Sequence, residues 1–318
     1  MDGNAVNRSD RTHVFIVGAP RSGTTWLQLL LSQHPAVATS QETHLFSAYL
    51  KFLERQWRFE ERNPSSRKVG LRGLLSDQEF YSACRTFVDR IFDEIAATKK
   101  GANVVLEKTP NHVYEWELIL KIVPEAYFIH IVRDPRSVVS SLRAAGGAWG
   151  KNWASAGAVG CALRWCTSVT EGRRIGKATD RYKEIRYEAL LSDGPSCLRQ
   201  IFSWLGLPAD AETCRRAVET CAIDRLKKGR ADHSSPWPLG SEPEGFFRKG
   251  ERESWRKELP RSWIRTTEYL ARDLMRELGY EPALRVSSRK PVRVSLYEGF
   301  EGLEWRVESS LRRLRSIF

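Results

Sequence analysis

Residues 18–25 combine glycine, hydroxyl and basic side chains in a pattern that can bind an anion. The string Gly-Ala-Pro-Arg-Ser-Gly-Thr-Thr has the spacing of a phosphate-binding loop, with glycines at positions 18 and 23. Backbone N–H groups of such a loop and of the helix that follows it cradle the anion. Thr24 stands where a nucleotide triphosphatase has lysine, and Arg21 supplies a cation earlier in the loop. The loop therefore predicts phosphate binding and makes ATP hydrolysis an unfavoured function.

Two other strings carry side chains for proton transfer and charge stabilisation. Glu42 and His44 follow the first helical segment, and Glu107 and Lys108 end a short apolar run. A carboxylate can take a proton from a hydroxyl, and a lysine at the carboxyl edge of a sheet can stabilise charge on a leaving oxygen. One base and one or two cations suffice for transferring a phosphate-like group. We therefore expect no metal requirement.

Alternating strands and helices position these residues. Apolar runs predict strands at 13–18, 103–106, 126–132 and 183–187. Helical patterns follow them, at 27–34, near 113–122, near 137–143 and near 195–205. Strands that alternate with helices imply a parallel sheet with helices on both faces. The predicted fold class is α/β, a phosphate-loop-containing three-layer fold with a central parallel sheet.

The chain is expected to divide into segments of different composition. The predicted segments are a flexible N-terminus (1–12), a main domain (13–283) with a helical insertion (47–100) and a lid-like loop (229–253), and a basic tail (284–318). Apolar residues recur at helical spacing between Leu303 and Phe318, with arginines beside them. Two interpretations stay open for this stripe: it packs on the protein's own core, or it lies on an anionic membrane surface.

Composition restricts the class of protein. The net charge is +12, from 51 basic and 39 acidic residues, which favours an anionic partner. Basic residues are scattered and no recognition motif is present, so we expect no nucleic-acid partner. We expect no membrane span and no secretory signal, since no apolar run is long enough. The six cysteines lack metal-site spacing. The expected location is the cytoplasm, with peripheral membrane contact through the tail as an option; the oligomeric state stays open.

The string GAPRSGTTWL at residues 18–27 resembles the 5′-phosphosulfate loop of the sulfotransferase superfamily. Members transfer a sulfuryl group from 3′-phosphoadenosine 5′-phosphosulfate, PAPS. The resemblance implies that the donor is bound by loop residues, namely Arg21, Ser22, Gly23, Thr24 and Thr25. It also implies that Trp26 stacks on adenine, although a core tryptophan is an equally good interpretation. Residues 131–141 resemble the family's 3′-phosphate motif, which implies that Arg133 and Ser141 bind that phosphate.

Two further segments resemble the donor-binding parts of the family. Residues 186–191, with Tyr187, are similar to a Tyr-Glu segment of bacterial members. Arg248, Lys249 and Gly250 resemble the C-terminal loop that closes over the 3′-phosphate. This loop departs from the family pattern, because the second glycine seen in many relatives is absent.

The strings around Glu42 and Lys108 resemble catalytic segments of particular members. Residues 42–46, Glu-Thr-His-Leu-Phe, are similar to a string of the heparan glucosaminyl 3-O-sulfotransferases, and tyrosylprotein sulfotransferases also place a Glu here. The resemblance implies that Glu42 is the base. Three interpretations stay open for His44: it assists the base, it positions the acceptor, or it is a buried structural imidazole. Residues 107–110, Glu-Lys-Thr-Pro, resemble a segment of the same relatives, which implies that Lys108 neutralises the leaving oxygen alongside Arg21. The nearby His112 has no counterpart in this resemblance.

The sequence therefore predicts a sulfotransferase that moves a sulfuryl group in line from PAPS to a hydroxyl of a carbohydrate, lipid or small natural product. The alternatives are a phosphate-loop kinase or nucleotide triphosphatase, in which Glu107 or Asp134 holds a metal, and a non-catalytic nucleotide-binding protein. Dependence on Mg²⁺ separates the kinase or triphosphatase from the sulfotransferase.

Overall fold

The computed structural model describes residues 11–62, 70–227, 243–248, 250–284 and 290–295. The chain forms two compact units: one comprises Met1–Arg133 and Ser168–Gly250, the other Asp134–Thr167 and Glu251–Phe318. The first ten residues, most of the predicted lid-like loop, Lys249 and the apolar stripe of the tail lie outside the described residues. Within the described ranges, no helix is both long and apolar enough to cross a membrane.

A five-stranded sheet forms the centre of the first unit. Its strands are β1 (Thr12–Val17), β2 (Val37–Thr39), β3 (Val104–Lys108), β4 (Tyr127–Val132) and β5 (Tyr182–Arg186). The order is β2-β3-β1-β4-β5, and every neighbouring pair is parallel. The sequence predicted four of these strands. It missed β2, because three residues are too few to show a strand pattern, so Lys108 ends the third strand and not the second.

Helices follow most of the strands. They are α1 (Thr24–Ser32), α2 (Lys51–Arg62), α3 (Asp77–Ala97), α4 (Trp116–Ile122), α5 (Pro135–Gly146), α6 (Lys151–Ala154), α7 (Gly157–Ala178), α8 (Tyr187–Ser192), α9 (Gly194–Trp204), α10 (Ala211–Thr220), α11 (Ile223–Lys227), α12 (Trp255–Glu258), α13 (Arg261–Leu270) and α14 (Arg272–Glu277). A π-helical turn (Leu45–Leu50) precedes α2, and a 3₁₀ turn (Pro110–Tyr114) precedes α4.

Successive residues of β1 face two separate hydrophobic cores. Val14 and Ile16 pack in one core with residues of α1, α8, α9 and α10. Phe15 and Val17 pack in the other core with residues of α3 and α4. Because neighbouring residues of a strand point to opposite faces, helices cover both sides of the sheet. The predicted fold class, a parallel sheet flanked by helices, is therefore confirmed.

The five strands run in one direction, so the segments that follow them meet at one edge of the sheet. Arg21 lies in the loop after β1, Glu42 follows β2, Lys108 ends β3, Arg133 follows β4 and Tyr187 follows β5. Open parallel sheets bind their ligands outside the carboxyl ends of the strands. The fold thus collects the predicted functional residues of the first unit at the edge where ligands bind.

In the second unit, a buried arginine organises the polar contacts around α5. Arg136 is 3% exposed and binds the carboxylates of Asp134 and Glu268, each at 2.7 Å, and the carbonyl of Glu281 at 2.9 Å. Its guanidinium also lies 4.1 Å from the ring centre of Trp255. Both oxygens of Asp134 accept hydrogen bonds from Arg136. This structural role of Asp134 does not support the metal-binding role in the kinase alternative.

The turn between β1 and α1 depends on two glycines. Gly18 has a φ of 148°, and an added Cβ would lie 2.6 Å from the carbonyl oxygen of Ile131. Gly23 has a φ of 100°, and an added Cβ would lie 2.6 Å from a ring carbon of Tyr187. Only glycine adopts these angles without strain, and only glycine leaves room for both neighbours.

A glycine pair tests this steric requirement. Gly206 also has a positive φ, of 70°, but an added Cβ there would meet no atom within 4 Å. We expect Gly206→Ala to lower the free energy of unfolding by about 1–2 kcal/mol, the cost of a left-handed backbone. Gly23→Ala should lower it further, because the methyl group also collides with Tyr187. Chemical denaturation of both variants measures the difference, and equal losses would contradict the proposed collision.

Candidate active site

The loop after β1 and the first turn of α1 form a cradle suited to an anion. The nine-residue helix α1 has no acidic residue in its first turn and no side-chain cap at Gly23. Its first N–H groups therefore point outward with a partial positive charge. The hydroxyl of Ser22 is buried and makes no hydrogen bond within the described part of the chain. Thr24 and Thr25 are also buried, at 4% and 6% exposure.

Arg21 lies in this loop with a left-handed backbone, at a φ of 76°. Its guanidinium donates a hydrogen bond to the carbonyl of Phe246 and lies 4.4 Å from the centre of that ring. An aromatic face attracts a guanidinium without adding a negative charge. Phe246 was absent from the predicted site residues, because its segment shows no helix or strand pattern from which its position could be inferred.

Arg133 and Tyr187 form a second cation–aromatic contact at the strand ends. The guanidinium of Arg133 lies 4.0 Å from the ring centre of Tyr187 and donates to the carbonyl of Arg21, with N and O 3.4 Å apart. Tyr187 is 3% exposed, and burial raises the pKa of its hydroxyl. That hydroxyl donates to the carbonyl of Gly250 at 3.4 Å. The structure thus brings four of the predicted donor-binding residues together.

Trp26 packs in the core of the first unit. It is 7% exposed, its N–H donates to the carbonyl of Cys221 at 2.9 Å, and its ring lies 5.5 Å from Tyr187. These contacts agree with the interpretation of Trp26 as a core tryptophan, one of the two that the sequence left open. Stacking of Trp26 on adenine stays a prediction.

The remaining predicted donor-binding residues are Ser141, Arg248, Lys249 and Gly250. Arg248 is half-buried, and Gly250 has a φ of 69°. Lys249 lies outside the described residues. Ser141 is 6% exposed on α5 and belongs to the second unit. Its partnership with Arg133 in binding a 3′-phosphate therefore stays a prediction of the sequence.

Glu42 and Lys108 form a carboxylate–ammonium pair at the strand ends. The Lys108 Nζ lies 2.5 Å from Glu42 Oε1; the lysine side chain is 4% exposed and the glutamate side chain 35%. A buried ammonium is costly unless a partner compensates it, which Glu42 does here. The other Glu42 oxygen lies 3.6 Å from His44 Nε2, and the His44 side chain is 49% exposed. His44 is therefore not the buried structural imidazole that the sequence left open.

Glu107, the residue before Lys108, is fully buried and bound by three side chains. Its Oε1 accepts from the hydroxyls of Thr43 at 2.8 Å and Thr109 at 2.7 Å, and its Oε2 lies 2.8 Å from His112 Nδ1. Burial alone would raise its pKa, but His112 and the two hydroxyls bring the pKa down to about 2. The stabilisation from this ionised carboxylate is present above the ordinary pKa and is lost only as pH falls towards about 2.

His112 links this network to the turn that follows Glu42. It is fully buried, and its Nε2 accepts a hydrogen bond from the backbone N–H of Phe46 at 3.2 Å. The occupied oxygens of Glu107 do not support its metal-binding role in the kinase alternative. Sequence reasoning missed Thr43 and Thr109. A carboxylate inside a buried strand was the available signal, because such a group needs donors nearby.

Comparison with known proteins identifies the family. The sequence profile of the Sulfotransferase family matches residues 13–211, more than half of the chain. Nodulation protein NoeE of Sinorhizobium fredii is 26% identical over 302 residues, which cover 85% of this chain and 66% of NoeE. Protein-tyrosine sulfotransferase 1 of Danio rerio is 26% identical over 64% of this chain and 55% of its own length. This chain thus covers less than two thirds of the length of each of these relatives.

A solved structure shows the same fold. The crystal structure of a mouse sulfotransferase complexed with PAP superimposes with a TM-score of 0.51 at 17% identity, over 84% of this chain and 86% of the mouse chain. The profile match includes the anion loop, Glu42, Lys108 and Arg133, which the sheet brings to one edge. The chain therefore belongs to the Sulfotransferase family.

Proposed function

We propose that this chain transfers a sulfuryl group from PAPS to a hydroxyl acceptor. The observation that carries the proposal is the contact of Glu42 with Lys108 at the carboxyl ends of β2 and β3. A proton acceptor and a buried cation then lie beside each other, which is what transfer to a hydroxyl needs. Family membership, and the PAP bound to the similar mouse sulfotransferase, support the choice of donor.

The residues at the strand ends fit a nucleotide with two separate phosphate positions. The N-terminus of α1 and the Ser22 hydroxyl, which makes no hydrogen bond to the described residues, suit the 5′-phosphosulfate, because both offer hydrogen-bond donors to an anion. Arg133 supplies a guanidinium directly after β4, the neighbour of β1, as a 3′-phosphate requires. Thr24, Thr25 and Gly23 complete the proposed donor loop.

In the proposed mechanism, the oxygen of the acceptor hydroxyl bonds to sulfur while Glu42 takes the proton of that hydroxyl. The bond between sulfur and the bridging oxygen breaks, and its electron pair stays on the 5′-phosphate of the product. Lys108 and Arg21 stabilise the charge that develops on that oxygen. His44, within 3.6 Å of Glu42, positions or assists the base.

The acceptor is proposed only as a class: a hydroxyl of a carbohydrate, a lipid or a small natural product. The name of the Danio rerio relative adds tyrosine hydroxyls as a comparison group. Incubation with labelled donor and a panel of these acceptors, with product masses read for an added sulfuryl group, separates them. A cytoplasmic location and membrane contact through 303–318 stay predictions. Activity that depends on Mg²⁺ and ATP would favour the kinase alternative.

The donor assignment predicts a preference for the 3′-phosphate. We expect adenosine 3′,5′-bisphosphate to bind more tightly than AMP by on the order of 1.5–3 kcal/mol, the value of one charge-assisted hydrogen bond. Arg133→Ala should remove most of this preference and leave AMP affinity nearly unchanged. Isothermal titration calorimetry measures all four affinities. Equal binding of the two nucleotides by the unsubstituted protein would refute the 3′-phosphate site.

The base assignment predicts a loss of turnover without a loss of donor binding. Glu42→Gln keeps an oxygen that accepts from Lys108 but cannot take the acceptor's proton. We expect kcat to fall about 10²–10⁴-fold, with bisphosphate affinity nearly unchanged. Glu115→Gln is the matched control, because Glu115 forms another contact with a lysine, Lys51, and has no role in the proposed reaction. Near-normal turnover of Glu42→Gln would assign the proton transfer to another group.

A further inference from the structure

We propose that Glu107 and His112 are positioning residues that hold the Glu42 segment in its reactive arrangement. The inference rests on the proposed role of Glu42 as the base. Neither residue contacts the reacting atoms in the mechanism above. Their effect is on the backbone that carries Glu42.

The two residues bind the segment after Glu42 at both of its ends. At one end, Glu107 accepts from the Thr43 hydroxyl at 2.8 Å and from its backbone N–H at 3.3 Å. At the other end, the Phe46 N–H donates to His112 at 3.2 Å. His112 in turn contacts Glu107 at 2.8 Å, so one buried pair holds residues 43–46. The pair thereby ties the segment to the end of strand β3.

The segment between these contacts has a backbone that needs support. His44 has a φ of 52°, in the left-handed region that costs a residue other than glycine on the order of 1–3 kcal/mol. Its N–H donates to the Thr109 hydroxyl, which itself donates to Glu107. Strained backbone persists only where the surroundings determine it. Loss of the Glu107–His112 pair should therefore let residues 43–46 relax and displace Glu42.

The contacts of Glu107 and His112 lie next in sequence to both residues of the proposed catalytic contact, Glu42 and Lys108. Thr43 directly follows Glu42, and Lys108 directly follows Glu107. Lys108 is registered in the sheet opposite Ile16 of β1, so its backbone is fixed. The 2.5 Å distance between Glu42 and Lys108 then depends on the contacts that Glu107 and His112 make.

The hydrogen bonds specify the tautomer of His112. Its Nε2 accepts from the Phe46 N–H, and its Nδ1 donates to the Glu107 carboxylate. The rings of Phe15 and Phe46 pack against the imidazole from β1 and the π-helical turn. The imidazole therefore uses both of its nitrogens to connect Glu107 with the backbone of the segment.

Two substitutions test separately the two hydrogen bonds that the imidazole makes. In His112→Asn the amide N–H can still donate to Glu107, and in His112→Gln the amide oxygen can still accept from Phe46. We expect each to lower kcat by about 10–100-fold, because small displacements of a reacting group have effects of that size. Bisphosphate affinity should change less than about twofold, since the loop after β1 is untouched.

His34 offers a matched control for lost stability. It is 4% exposed, its Nδ1 accepts from the Ala36 N–H at 3.1 Å, and its Nε2 faces the Pro208 carbonyl at 2.9 Å. It thus shares the burial and bonding pattern of His112 but lies at the end of α1, away from the Glu42 segment. His34→Asn should reduce the melting temperature comparably and leave kcat per folded molecule unchanged. Equal kcat effects at positions 34 and 112 would overturn the inference.

Hydrogen exchange of residues 43–50 provides a readout that does not need turnover. We expect faster exchange in His112→Asn and Glu107→Gln, and unchanged exchange in His34→Asn. Unchanged exchange in all three variants would refute the positioning role, whatever the activity assay shows. Failure of the unsubstituted protein to sulfate any acceptor would instead refute the proposed function. Faster exchange together with lower kcat establishes that the pair positions the base.

Discussion

A carboxylate buried in a parallel sheet needs hydrogen-bond donors, and the arrangement of the strand ends depends on how Glu107 obtains them. Its partners are Thr43 from the segment after β2, Thr109 from its own strand end and His112 from the following 3₁₀ turn. An unsatisfied buried carboxylate would cost far more than the ordering of these segments. The requirement therefore determines the path of the chain after β2. Glu42 lies on that path, and it meets Lys108 as a consequence.

The cations at this edge are held in two different ways. Lys108 is buried against a carboxylate, whereas Arg21 and Arg133 lie over the rings of Phe246 and Tyr187. A carboxylate partner orients a lysine, but the two opposite charges largely cancel for a ligand that is still distant. An aromatic ring orients a guanidinium and leaves its charge able to attract an anion. Rings therefore orient the two arginines at this edge, and a carboxylate orients the lysine.

Local patterns predicted much of the fold and part of the site. Apolar runs identified four strands, and the spacing from Gly18 to Thr25 predicted a loop and helix start after the first of them, because both signals lie within a few consecutive residues. The contacts of Glu107 could not be predicted in this way, since Thr43 lies 64 positions away in the sequence. The strand β2, which brings the two together, is too short to leave a pattern. Arg136 was missed for the same reason, as its partner Glu268 is 132 positions away.

The loop after β1 and the segment around Glu42 differ in which atoms determine their geometry. Around the β1–α1 loop, backbone N–H groups and two glycines form the cradle, so the short string that encodes it carries most of the information. Around Glu42, side chains from separate segments set the geometry, and the described part of the helical insertion continues from there as the π-helical turn, α2 and α3. Exposed aromatic side chains occur on this insertion, including Tyr49, Phe52 and Phe59. Surfaces of this kind are formed by contacts between distant segments, which is why the sequence predicts a donor class and leaves the acceptor open.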